Sequence, residues 1–175
     1  MGSKSEAGDM LDKFVRRYGA PKLLKFDGSK EQCGKNSKFQ QIIRKYEIPY
    51  HIVEHERPNQ NPAESVIREL KRKWYRILYK MNCLIRLWNY GLQYAAEIMN
   101  VTASNSGNLN GRTPLELITG ETPDISEYLD FGFYDRIWFR EHAGLGETKL
   151  GRFLGVSGSV GSLMSYWVLP LLYLE

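Results

Sequence analysis

Two short stretches decide how this chain reads: Lys25-Phe26-Asp27-Gly28, and Pro58-Asn59-Gln60-Asn61-Pro62-Ala63-Glu64. Lys22 to Phe26 (KLLKF) is a short apolar run closed by Asp-Gly, which predicts a strand running into a turn. Asn61 is a good helix N-cap and Pro62 suits the first helical position, where no N–H is required. A long helix is therefore predicted to open there, with Glu64 in its first turn. Between the two stretches, Phe39, Ile42, Ile43 and Tyr46 fall at i, i+3, i+4 and i+7, predicting a helix after a polar loop at 29–38. Ile48 to Val53 (IPYHIV) predicts a second strand, with Pro49 near its start. Strand, helix, strand, helix is the order of an α/β fold. Thirty-six residues separate Asp27 from Glu64. If both carboxylates open on one edge of the sheet, they form a hard-oxygen pair suited to Mg²⁺ or Mn²⁺ and to phosphoryl transfer. Each also has a plainer role. Asp-Gly after a strand is ordinary turn chemistry, and Glu64, three residues after Asn61, suits the last position of a capping box.

Working outward, Met10, Leu11, Phe14, Val15 and Tyr18 share one helical face before Gly19 and Pro21 end that helix. On the helix from residue 62, Val66, Leu70, Trp74, Ile77 and Met81 form an apolar stripe, with Arg68, Lys71, Arg72, Tyr75 and Tyr79 on another face. A further helix from Leu84 to about Ala103 is apolar on most sides, so burial is expected. Thr113-Pro114-Leu115-Glu116 has the capping-box pattern and Gly120 the character of a helix stop, with another short helix predicted over Pro123 to Leu129. After Phe131, Tyr134–Arg140, Leu150–Val156 and Leu163–Leu169 read as three short strands between Gly-rich turns. The change of pattern suggests a boundary near residue 130.

The 175 residues are 42% hydrophobic and 25% charged, values of an ordinary globular chain. Their 11 Tyr, 7 Phe and 4 Trp exclude a disordered segment. No apolar run reaches the roughly 18 residues of a membrane span. Residues 1–10 (MGSKSEAGDM) have no signal-peptide core, so secretion is not expected. Two cysteines and three histidines exclude a disulfide framework. His51 and His55 lie four apart, but Cys33 is the only upstream cysteine and no C-x-x-C is present, so a zinc finger is not expected. The net charge of +4 is unevenly spread: 12 basic and 9 acidic residues in 1–64, 7 and 2 in 65–100, 5 and 9 in 101–175. The cationic excess sits in the central segment, as a polyanion-binding surface requires. There Arg and Lys would neutralise phosphates, and Tyr75 and Tyr79 would stack on unpaired bases. A solvated basic face with half-buried tyrosines is the plainer alternative.

Taken in order, these motifs resemble the integrase catalytic core of Copia-type LTR retrotransposons. Lys25–Gly28 is similar to the strand end that carries the second Asp of the family's D-D-E triad, and Pro58–Glu64 to the loop and helix start that deliver its Glu. Arg112-Thr113-Pro114-Leu115-Glu116, Thr119-Gly120-Glu121-Thr122-Pro123-Asp124-Ile125-Ser126 and Phe131-Gly132 are similar to the family's signature after the core. Phe153-Leu154-Gly155 and Tyr166 sit where it has a small β segment. The resemblance covers roughly residues 8–169. It implies an α/β chain with a partial ribonuclease-H-like core at 1–130 and a small β-rich segment at 131–175. Two departures stand out. The loop before Glu64 is one residue shorter than the usual family form, with Pro62 in place of Gly. The first triad Asp has no counterpart, because Asp9 and Asp12 fall in a predicted helix; the first strands of the core are expected to be missing.

The resemblance implies metal-dependent phosphoryl (strand) transfer for the whole family enzyme. Asp27 and Glu64 would be catalytic residues and ligands for Mg²⁺ or Mn²⁺, held weakly by two carboxylates. Arg68, Lys71, Arg72 and Tyr75 would contact DNA, as element ends and target, with further copies of the chain as partners, no membrane, and a nuclear or cytoplasmic-particle location. The chain alone is expected to be inactive or very weak in strand transfer. Two other readings stay open: a non-enzymatic nucleic-acid-binding module built on the 62–81 helix, and a non-functional transposon remnant.

Overall fold

The computed structural model describes residues 6–53, 62–105, 109–140, 146–157 and 165–171. His55, the Pro58–Asn61 stretch with its predicted N-cap, and Leu163 and Met164 of the predicted last strand lie outside these residues. Packing divides the chain into two compact units, Met1–Ile67 and Arg68–Glu175.

The first unit contains α1 (Glu6–Tyr18), β1 (Leu24–Asp27), α2 (Lys30–Cys33), α3 (Lys38–Lys45) and β2 (Tyr50–Val53). β1 and β2 pair in parallel, Phe26 opposite Ile52 and Asp27 opposite Val53. A parallel pair needs a crossover connection, and α2 with α3 supplies it. Leu11 and Val15 of α1, Phe26 of β1, Phe39, Ile42 and Ile43 of α3, and Ile48 form one buried cluster. The Phe26 and Phe39 rings meet edge to face at 5.1 Å, a favoured aromatic geometry. Arg16 pairs with Asp12 at 2.7 Å, and Lys38 of α3 pairs with Asp9 of α1. The buried face of α1 is narrower than its apolar pattern suggests: Met10, Phe14 and Tyr18 are exposed. The predicted polar loop at 29–38 holds the one-turn helix α2. Too short for hydrophobic periodicity, it contributes Cys33 to the margin of the core.

The division between units falls within α4 (Pro62–Met81). In the second unit, α4 is followed by a 3-10 turn at Ile85–Leu87, α5 (Trp88–Val101), α6 (Pro114–Thr119), a 3-10 turn at Ser126–Tyr128, and strands β3 (Arg136–Phe139), β4 (Lys149–Val156) and β5 (Tyr166–Pro170). These strands form an antiparallel sheet in the order β3-β4-β5, with a bulge between Phe153 and Gly155. The fold is thus mixed α/β, with a small antiparallel three-stranded sheet.

Two sequence expectations change here. The apolar stripe of α4 starts later than predicted: Val66 is 54% exposed and Trp74 only 4%. Trp74 packs with Phe133, Leu87 and Cys83, joined by Ile77, Leu78 and Met81, and these partners reach only the later turns of the helix. The helix predicted from Leu84 begins at Trp88 after a 3-10 turn, and only Gly91 and Ala95 on it are fully buried. Leu92, Tyr94, Ala96, Ile98 and Met99 are half-buried, and Ile85 before the helix is 73% exposed. Trp74, Cys83 and Leu87 share one buried cluster with Phe133, Tyr134 and Leu154.

The motif residues at 112–132 have identifiable structural work. Thr113 Oγ1 accepts from the Glu116 N–H at 3.0 Å, and Glu116 Oε2 accepts from the Thr113 N–H at 3.3 Å, completing the predicted capping box. Gly120 takes the left-handed conformation that ends α6, with φ 81°. The Asp124 carboxylate accepts from the Ser126 N–H and hydroxyl, which holds it below its ordinary pKa. Phe131 packs 5.6 Å from Phe153.

Candidate nucleic-acid interface and carboxylate sites

Seven side chains of α4 form one stripe: Arg68, Lys71, Arg72, Tyr75, Arg76, Tyr79 and Lys80. Their spacings of three and four residues put them on one face, which lies away from Trp74, Ile77 and Met81. They line an open trough. All its walls come from a single helix, so it is an extended surface and not an enclosure for a small molecule. Tyr75 is exposed and Tyr79 is 81% exposed. A large aromatic ring left in water beside cations is available for stacking.

Arg68, Lys71, Arg72 and Tyr75 are legible in the sequence as members of this face; Arg76 and Lys80 join them only in the structure. Their positions four and eight residues after Arg72 carry the same helical signal. Arg72 is already engaged. Its Nε and Nη2 donate to the Glu69 carboxylate at 2.8 and 2.7 Å. The hydrogen bonds hold the Glu69 carboxyl below its ordinary value and raise the Arg72 guanidinium. Exposed pairs of this kind are weak, so a phosphate can compete for Arg72.

The carboxylates belong to the first unit. Asp27 ends β1 with its side chain exposed. Its Oδ1 accepts from the Ser29 N–H at 3.3 Å, the geometry of an Asx turn. With its NH₂ turned toward Asp27, the Gln32 amide donates to Oδ1 at 2.6 Å and to the Asp27 carbonyl at 3.1 Å. Turn chemistry therefore accounts for part of this carboxylate's work. Glu64 lies exposed in the first turn of α4, where a negative charge is favoured; its predicted cap partner Asn61 lies outside the described residues. No hydrogen bond joins Asp27 to Glu64 among the described residues, and no three His, Cys, Asp or Glu side chains gather there as a metal would require. Mg²⁺ retains several waters and binds through one or two carboxylates; Asp27, part of whose oxygen capacity its own turn uses, and Glu64 are the residues that could hold it. Cys33 and Cys83 are free thiols, and burial pushes the Cys83 thiol up.

No protein-family model matches the chain, and no curated protein matches it. Among solved structures, its fold is similar to a chain in the cryo-EM structure of the simian T-cell lymphotropic virus intasome in complex with the PP2A regulatory subunit B56 gamma. The TM-score is 0.54 at 16% identity, over 97% of this chain and 63% of that one. The chain spans less than two thirds of that neighbour's length, and at this identity the likeness is one of fold.

Proposed function

We propose that this chain is an integrase-related, nucleic-acid-binding protein that lays the cationic face of α4 along DNA. The observation that carries this reading is the stripe Arg68, Lys71, Arg72, Arg76 and Lys80 interleaved with the exposed rings of Tyr75 and Tyr79. The fold likeness to an intasome chain supports it, as do the motifs of Copia type. In this reading the first unit is part of a ribonuclease-H-like core, and the partners are element ends, target DNA and further copies of the chain. Mg²⁺ or Mn²⁺ is held only weakly by Asp27 and Glu64, and strand transfer is not an activity of this chain alone.

Salt-dependent binding tests the reading. A duplex should bind with log K falling linearly in log salt. Replacing Arg68, Lys71 and Arg72 by Gln should lower that slope by about 0.9 for each phosphate no longer neutralised. Asp27→Asn with Glu64→Gln should leave binding intact. Binding insensitive to the cation changes, but dependent on metal and both carboxylates, would return the function to the carboxylate pair. Strand transfer in Mg²⁺ or Mn²⁺ that disappears with Glu64→Ala would overturn the claim of inactivity.

A further inference from the structure

The side of α4 that faces α5 carries a second feature, which the cationic stripe does not explain. Trp74 of α4 lies against Gly91 of α5 so closely that a Cβ at Gly91 would sit 1.9 Å from its ring. Glycine is therefore required at this approach. Beside this contact, Lys73, Arg76, Ile77, Tyr94, Ala95 and Ile98 line a groove of about 290 Å³. Ile77, Ala95 and Ile98 make it apolar. The Tyr94 ring is held in place by Phe133 at 5.5 Å and by an edge contact with Phe153 at 6.3 Å, and burial raises its hydroxyl pKa. Lys73 and Arg76 are the cations of the groove; both act electrostatically on the Glu69 carboxylate, whose hydrogen bonds go to Arg72.

Arg76 lines both the groove and the trough. An anion held on the trough therefore continues to the mouth of the groove. The volume falls just under the roughly 300–1,000 Å³ of pockets for drug-sized ligands. It suits one flat ring and excludes a peptide helix or a duplex. An apolar slot with cations beside it matches a ring that carries a phosphate.

We propose that the α4–α5 groove takes an unpaired nucleobase, with Lys73 and Arg76 holding the phosphate attached to it. The proposal rests on the nucleic-acid reading of α4 and specifies its ligand: nucleic acid with a single-stranded end. A paired base stays stacked in its duplex and does not reach the groove, whereas an unpaired one gives up little to enter it.

Anisotropy titrations of the full chain against three DNAs at one salt concentration test this. The first is a blunt duplex, the second the same duplex with a short single-stranded extension, and the third that extension made abasic, which keeps the phosphates and removes the bases. The extension with bases should bind on the order of tenfold more tightly than the abasic one. 2-Aminopurine placed in the extension should change its emission on binding. Ile98→Trp, filling the groove from a half-buried position, should abolish both effects and leave blunt-duplex affinity unchanged. Lys73→Gln should reduce the preference, and it decides the matter if Ile98→Trp loses its cooperative unfolding transition. Equal affinity for the abasic and base-bearing extensions, or a preference that survives the substitutions, overturns the groove proposal and leaves the α4 reading standing. Failure of all three DNAs to bind overturns the α4 reading, and the groove proposal with it.

Discussion

The two units build their sheets in opposite ways. In the first, a parallel pair of strands buries Phe26 beneath α1 and α3, while Lys25 and His51 are exposed and Tyr50 and Ile52 stay largely open to solvent. In the second, an antiparallel sheet surrounds Phe153, which is fully buried against Tyr94, Phe131 and Tyr166. Parallel strands are usually covered on both faces, whereas antiparallel ones tolerate one open face. The better-enclosed core thus lies in the unit that presents the cationic stripe of α4. The thinner sheet carries Asp27, a carboxylate partly satisfied by its own turn. The contrast is one of support: the cations stand on a helix anchored by Trp74, whereas Asp27 sits at the end of a strand whose neighbours are open to solvent.

The largest expected effect sharpens this contrast. Phe153→Ala should cost about 3–5 kcal/mol in denaturant unfolding, since it empties the centre of the second unit's core. Ile52→Ala, on the open sheet of the first unit, should cost well under half of that. Equal losses would mean that the parallel pair is as enclosed as the antiparallel sheet, and the comparison would break.

An intermediate effect should come from Thr113→Ala, which removes the cap of α6 and should lower stability by about 1 kcal/mol. A loss below a few tenths would show that α6 is held by packing alone.

The smallest effect concerns Glu69 and Arg72. The Glu69 carboxyl is depressed below its ordinary 4.5 by the Arg72 hydrogen bonds. Its contribution is therefore present above that value and lost as pH falls through the depressed folded pKa. Glu69→Gln should be slightly less stable than the parent at neutral pH, with the difference lost as pH falls through the depressed folded pKa and shrinking in high salt. The same substitution should release Arg72 and modestly strengthen duplex binding. Weaker binding would remove Arg72 from the interface.

Much of this was legible along the chain because the relevant physics is local. Thr113, Pro114 and Glu116 encode a capping box within four residues, and it forms as read. The strand ending at Asp27, the helix ending near Met81 and the three C-terminal strands follow from short-range patterning. The cationic face was legible for the same reason, since helical spacing alone aligns Arg68, Lys71, Arg72 and Tyr75. What the pattern could not supply was the partner surface. Val66 and Trp74 look alike on a helical wheel, yet only Trp74 meets Phe133, at 5.6 Å. Trp138 shows the same limit from the other side, at 70% exposed on a strand whose neighbour Ile137 is buried.

The sequence by itself determined the order of elements, their caps and the charge carried by one face of α4, because propensity, capping and periodicity act over a few residues. Only the tertiary structure decided which apolar faces are covered and that Gly91 and Trp74 meet beside a groove sharing Arg76 with the cationic stripe. Those outcomes depend on residues distant in the chain meeting in space, and burial, close approach and cavity shape are properties of such meetings.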